Sequence, residues 1–508
     1  MTTPVADFVK RYAEADMSRF HMPGHKGLPM VGCEALDITE VAGADALYEA
    51  SGIIAESEAN ATSLFGSGHT FYSTEGSSLC IRAMIFLAVQ AWKKRRQDAS
   101  ARPVILAARN AHKAFLYACA LTDCDVHWLY PQPEAGSADQ GLPADRKSVA
   151  APAAASSICS CPITPAAAET AILEERSRTG TLPVALYVTS PDYLGGSQDL
   201  SGLAALCRRY DIPLLVDNAH GAYLKFLDTP SHPMDLGASM CCDSAHKTLP
   251  VLTGGAYLHI SKDFPLDHIS AARQALALFG STSPSYLILQ SLDLCNAKLA
   301  GTWPKALAET ISLADSLKEK LRALGYTVAN TEPLKITIFT RGDDLADALR
   351  PYKVECEHSD NESCIFMFTP ENSPRDFDRL FSALAELAPV FLKNTHASPI
   401  TDDHSAPSCN GLAPHSTPSC NGLAPHCSCS KEDYVPVFLP VPASLSIRDA
   451  VFSPSEAVSP EDALGRICAA PVVSCPPAIP IAVSGEVITE NTVKLFRHYG
   501  IDTVRVIL

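Results

Sequence analysis

The chain has 508 residues, 47% of them hydrophobic and 19% charged, which describes two or three globular domains and excludes a disordered polymer. A formal net charge of −16 excludes phosphate-backbone binding as the main task, so no nucleic-acid partner is expected, while a cationic substrate is tolerated. No apolar run reaches the length of a membrane span, Met1–Arg19 lacks a signal-peptide pattern, and the 18 cysteines show no CxxC spacing; no membrane partner and a reducing, cytoplasmic setting are expected.

Phe20–Gly27 (FHMPGHKG) carries a Pro-Gly pair and reads as a turn or loop. Ser51–Ala61 reads as a helix. Thr70–Ser78 (TFYSTEGSS) leads into a longer apolar helix, from about Leu79 to Trp92, closed by the cations Lys93–Arg96 where the helix dipole favours them. Gly76, Ser77 and Ser78 at its start offer N–H groups, hydroxyls and a positive dipole end. They suit a phosphate, or serve as an ordinary cap.

Short strands are expected at Pro103–Ala108, Pro183–Thr189 and Pro213–Val216, with an amphipathic helix at Leu200–Tyr210. Strands alternating with helices imply a mostly parallel sheet covered on both faces, with ligands bound outside the strands' carboxyl ends. The segments RNAHKAF, SPDYLGG and DNAHGAY place His112, Asp192, Asp217 and His220 at those ends. Residues 1–298 form this large domain, interrupted by a Pro/Ala/Ser-rich surface insertion at about 131–168.

Cys241–Ile260 (CCDSAHKTLPVLTGGAYLHI) sets Lys247 among residues that look internal. Burial lowers a lysine's pKa and makes it a usable amine; a loop lysine is the plainer alternative. The Cys241–Cys242 pair reads as core. From about 299 to 392 a smaller α/β domain follows, with helices at Ala306–Leu324, Asp344–Pro351 and Pro374–Leu387 and strands at Leu334–Thr340 and Cys364–Phe368. Residues 393–433 read as a disordered linker holding two copies of PSCNGLAPH; His415, His426, Cys427 and Cys429 there have spacings too irregular for a zinc site, and no metal is expected. Residues 434–508 form a compact α+β tail around CPPAIPIAVSGEVIT.

Lys247 lies thirty residues after Asp217, with a Gly-Ser-Ser helix start and His112 upstream. Each type has a role in pyridoxal-phosphate chemistry: an amine for the aldehyde, a carboxylate for the pyridine nitrogen, hydroxyls and a helix start for the phosphate, and an imidazole face for the ring. With FHMPGHKG, SPDYLGG, STSPSYLILQSLD and the tail motif, these segments resemble the fold-type-I pyridoxal-phosphate decarboxylases of ornithine, lysine and arginine. Eight motifs match in order across nearly the whole chain. The short N-terminus looks like the compact bacterial form without a receiver-like domain.

The resemblance implies an α/β fold of the fold-type-I transferase kind, with the cofactor pyridoxal 5′-phosphate carried by Lys247 and Asp217 paired with the ring nitrogen. His112 would stack on the ring, Ser77, Ser78, Ser244 and His246 would hold the phosphate, and His220 would line the cofactor site. Glu486 would read the substrate's distal cation, although Ala478 and Ser484 stand where the family usually has glycine and proline. A homodimer or larger homo-oligomer is implied, with Ser281–Ser283 reaching the partner's site. The expected activity is decarboxylation of a basic L-amino acid, leaning to arginine or lysine. Another fold-type-I reaction, such as transamination or β-elimination, and a catalytically silent polyamine-sensing regulator are the rival readings.

Overall fold

Seven strands build the central sheet: β1 (His69–Ser73), β2 (Val104–Ala108), β3 (Asp125–Leu129), β4 (Leu186–Thr189), β5 (Leu214–Asp217), β6 (Met240–Asp243) and β7 (Ala256–Ile260). The computed structural model describes residues 1–95, 101–131, 158–265, 267–392, 439–473 and 478–508. The spatial order is β1-β7-β6-β5-β4-β2-β3. β3, β2, β4, β5 and β6 pair in parallel, and β7 runs antiparallel to both β6 and β1.

The parallel strands read as unbroken apolar runs because both faces are covered. The helices α1 (Pro4–Glu14) and α2 (Ile53–Phe65) come before the sheet in the chain, and successive side chains of β2 show how later helices cover it. Ile105 and Ala107 pack beneath the helices α3 (Gly76–Lys94) and α4 (Lys113–Thr122), whereas Leu106 and Ala108 pack beneath α5 (Pro165–Thr179) and α6 (Leu200–Arg209). Local signals set the helix ends. Thr164 accepts from Ala167 N–H at the start of α5, Pro165 occupies its first position, and Gly180 closes it at φ 72°. Asp199 caps α6 in the same way.

The expected strands and helices of the large domain are present within a few residues. β1 is an addition: TFYS reads as a lead-in to α3, yet it forms an edge strand against β7. Its residues are nearly all buried, so it lacks the alternation that marks a half-exposed strand. The expected insertion at 131–168 runs too far. Ile158, Cys159, Cys161 and Ile163 are buried and α5 starts at Pro165, while residues 132–157 lie outside the described residues.

The small domain is a four-stranded antiparallel sheet with the order β10-β11-β9-β8, formed by β8 (Thr327–Val328), β9 (Lys335–Phe339), β10 (His358–Ser359) and β11 (Ser363–Met367). Helices at Trp303–Leu324 and Pro374–Phe391 contribute to its core. Trp303, Phe226 and Phe65 pack within the core that continues into the large domain, so the two domains share apolar packing. The linker at 393–433 with its repeat, and the four His/Cys residues considered there for zinc, lie outside the described residues. Among the described residues the tail folds into two short antiparallel pairs with two helices, Ile447–Phe452 and Glu490–His498, and docks on the large domain. The Lys113 N–H donates to the Ala478 carbonyl at 3.1 Å across that junction.

Candidate active site

Three strand ends converge on Lys247. β5 ends in Asp217, which is 3% exposed and accepts hydrogen bonds from the Tyr187 hydroxyl at 3.2 Å and the Ala219 N–H at 3.2 Å. The following turn carries His220. β6 ends in Asp243, and a single helical turn, Ala245–Thr248, then raises Lys247 over the sheet edge. Its Nζ lies 2.8 Å from His220 Nε2. From the end of β2, His112 caps α4 by accepting the Ala114 N–H at 3.1 Å.

Burial sets the protonation of these groups. It pulls the Lys247 amine down from its ordinary value, while the carboxylates of Asp217 and Glu357 pull it back up. The Asp217 carboxyl is pushed up by burial and drawn down by Lys247. His220 is held well below the usual imidazole range by burial and by the cations Lys247 and Lys335. His112 falls to about 4, first through burial and then through Lys247. The cluster therefore holds neutral imidazoles beside an amine and a carboxyl of opposing tendencies.

A second cluster lies at the start of α3. Gly76 (φ 70°), Ser77 and Ser78 open the helix, and the Ser244 hydroxyl donates to Ser77 Oγ at 2.7 Å. The first N–H groups of α3 have no carbonyl one turn back, so they face outward as donors. Gly254 fixes this approach: a Cβ there would lie 2.8 Å from the Thr74 carbonyl oxygen, and φ is +98°. The Gly254 carbonyl in turn accepts the Gly76 N–H at 2.7 Å.

An amine beside a buried carboxyl, with hydroxyls gathered at a helix start, offers the groups that a phosphate-bearing aldehyde could use. Comparison with known proteins settles the family: the model of the Orn/Lys/Arg decarboxylase major domain matches residues 3–392. The chain belongs to the Orn/Lys/Arg decarboxylase family. It is an amino-acid decarboxylase with the α/β architecture expected from its sequence. Similar relatives include the arginine decarboxylase of Bacillus subtilis, 28% identical with 97% of this chain and 92% of the relative covered. That of Halalkalibacterium halodurans is 29% identical, covering 98% and 93%. Among solved structures, the lysine decarboxylase of Francisella novicida superposes with a TM-score of 0.70 at 18% identity, covering 100% of this chain and 81% of that one.

Within this decarboxylase the remaining candidates are placed unequally. His246 donates from Nδ1 to the Gly255 carbonyl at 3.1 Å, which orients its ring beside Lys247. Ser78 stands in the first turn of α3. Glu486 is 4% exposed and paired with Arg109 at 3.5 Å, and one oxygen accepts the Val483 N–H at 2.8 Å. Among the described residues, no hydrogen bond or ion pair joins it to Lys247, His220 or Asp217. Ala478 keeps a positive φ of 58°, so the alanine holds a left-handed backbone that glycine would favour. Glu75 accepts the Ser281 N–H at 2.5 Å, tying the α3 start to the Ser281–Ser283 segment.

Sequence reasoning passed over two features. Lys335, fully buried at the start of β9, approaches His220 Nδ1 at 2.9 Å. The signal was a lysine opening the apolar run KITIF. Behind the sheet edge, Asp243 accepts from Asn218 at 2.7 Å, His232 at 3.0 Å and His259 at 3.1 Å, all of them buried. With Cys241, the ligand atoms of Asp243, His232 and His259 lie within 4.8 Å of one another, a spacing open to metal ligation. The Met234 N–H donates to His232 Nδ1, however, which leaves the His232 proton on Nε2, facing the carboxylate. The cluster is thus satisfied as a hydrogen-bond hub.

Proposed function

We propose that the chain decarboxylates a basic L-amino acid, arginine foremost, using pyridoxal 5′-phosphate held on Lys247. The observation that carries this reading is the part-buried Lys247 amine, 2.8 Å from His220 and electrostatically coupled to buried Asp217. The residues fit the cofactor. Ser77, Ser78 and Ser244 offer hydroxyls where α3 offers N–H groups, and Asp217 offers a carboxylate to a ring nitrogen. Bound there, the cofactor supplies an electron sink for the pair released when the bond from Cα to the carboxylate breaks.

The chain's own residues do the rest. Lys247, with its pKa lowered by burial, is available as an amine and later as a proton carrier for Cα. Asp217 supplies a carboxyl group held in place by the Tyr187 hydroxyl and the Ala219 N–H. His112 and His220 stay neutral and present ring faces and N–H groups without adding charge. Arginine is placed first because relatives named arginine decarboxylase match nearly the whole chain.

The working assembly is read as a homodimer. Phe20, Met30 and Val31 are at least 86% exposed around the FHMPGHKG loop, an apolar surface suited to a second copy. All thirteen cysteines of the described residues are free thiols, which suits a reducing cytoplasm. Arginine, lysine and ornithine assayed side by side test the function, with amine and carbon dioxide expected one to one from arginine. Keto acid in place of carbon dioxide would indicate transamination or elimination. Purified protein without a cofactor absorbance band, or with a band that survives Lys247→Ala, would indicate a silent regulator.

A further inference from the structure

Lys335 belongs to the small domain, yet its ammonium ends inside the large-domain site. It is fully buried and reaches three acceptors: the Asp192 carbonyl at 3.3 Å, the Tyr193 carbonyl at 3.1 Å and His220 Nδ1 at 2.9 Å. Glu332 lies 3.5 Å away and balances its charge. An ammonium has three N–H donors and no lone pair, so this arrangement uses every donor.

We propose that Lys335 is a positioning residue: by donating to His220 Nδ1 it fixes the imidazole proton on Nε2, and His220 then presents an N–H to Lys247 Nζ. A neutral imidazole has one proton, so Nδ1 as acceptor makes Nε2 the donor. An N–H at 2.8 Å from Lys247 Nζ requires a lone pair on that nitrogen. Lys247 is thereby selected as the free amine. The opposite tautomer would offer a lone pair and favour the ammonium. This inference rests on Lys247 being the reacting amine of the proposed function.

The groups facing Lys247 pull both ways, and burial, the largest influence, leaves its pKa below the ordinary value. Asp217 and Glu357 favour its charged form, Lys335 opposes it, and His112 and His246, held below the usual imidazole range by burial, add no charge. Because Lys335 and Glu357 come from the small domain and Asp217 and His220 from the large one, docking of the small domain sets the state of the amine. A lysine whose amine form is favoured only when both domains are in place is less reactive toward stray aldehydes in a partly folded chain.

The test reads Lys247 directly. The full chain, freed of bound carbonyl compounds with hydroxylamine, is labelled with trace acetic anhydride across pH, and the Lys247 peptide is quantified by mass spectrometry. Lys335→Met, made with Glu332→Gln so that no bare carboxylate remains, is expected to raise the labelling midpoint by about one pH unit. Lys335→Arg, which keeps the charge and the donors, is expected to leave it near the parent value. An unchanged midpoint in a double variant that melts like the parent overturns the proposal. Should that variant not fold, nitrogen NMR of the parent, with His220 assigned through His220→Gln, decides: a protonated Nε2 supports the proposal and a protonated Nδ1 overturns it. Neither readout depends on turnover, so failure here leaves the decarboxylation assay to judge the proposed function separately.

Discussion

The Arg109–Glu486 pair separates two roles for the tail, pinning and substrate reading. Arg109 is 4% exposed; its guanidinium donates to the Pro480 carbonyl at 2.7 Å and the Ile481 carbonyl at 3.1 Å, besides facing Glu486 at 3.5 Å. Hydrogen bonds from a charged donor contribute about 1.5–3 kcal/mol each, and breaking a buried pair from one side costs about 3–5 kcal/mol because a charge is left behind. Arg109→Met should therefore destabilise the docked tail by about 3–5 kcal/mol. Glu486→Gln keeps the volume and the Val483 N–H contact, so it should cost less, and the double variant should recover about 1–3 kcal/mol relative to additivity.

The pH dependence gives this prediction a sign. The Glu486 carboxyl is pushed up by burial and drawn down by Arg109. A carboxyl raised in the folded state adds stability below its unfolded pKa and loses it as pH rises through the folded value. Removing Arg109 raises the folded value further, so the Arg109→Met penalty should be larger at pH 8 than at pH 5. Urea unfolding at both pH values, with limited proteolysis to report tail release, measures it. A penalty under about 1 kcal/mol and equal at both pH values would refute the pin. A Glu486→Gln enzyme with unchanged unfolding but a KM for arginine raised tenfold or more would return Glu486 to the substrate.

Three further outcomes are expected. Asp217→Asn should retain the fold but lower carbon dioxide release about 10²–10⁴-fold, because an amide cannot hold a ring nitrogen protonated; a loss of less than tenfold would remove Asp217 from the proposed role. Gly254→Ala should cost about 1–3 kcal/mol and weaken cofactor retention on dialysis, since its Cβ meets the Thr74 carbonyl at 2.8 Å and φ is +98°. Asp243→Asn should cost about 3–5 kcal/mol at pH 7, read by urea unfolding. Asp243 is held well below the usual carboxylate range by His232 and His259, so its contribution is present above the unfolded pKa of about 4 and fades as pH falls further.

The sheet and half of the candidate site could be read from the sequence because their determinants are local. Apolar runs such as VILAA and LLVD, each ending in a polar segment, mark parallel strands and say where ligands bind. The Gly-Ser-Ser start and the SAHK turn carry their chemistry within a few residues. What was not legible depends on partners far along the chain. Nothing near Glu486 announces Arg109, 377 positions earlier, and Lys335 acquires meaning only when β9 is laid beside the β5 turn.

The same distinction explains why Lys247 could be found and its protonation could not. A lysine between small polar and apolar residues is readable as buried, and burial alone lowers its pKa. Whether it stands as amine or ammonium depends on the lone pair or proton at His220 Nε2, and that depends on what touches Nδ1. Here the atom is Lys335 Nζ, at 2.9 Å, from another domain. Two lysines joined through one imidazole cannot both donate to it while it is neutral, since it accepts at one nitrogen only. Lys335, with three acceptors and Glu332 beside it, is placed as the donor to His220, and Lys247, 2.8 Å from the other ring nitrogen, is placed as the acceptor. If Lys247 is the reacting amine of the proposed function, its nucleophilic form is set by this unequal pair of lysines.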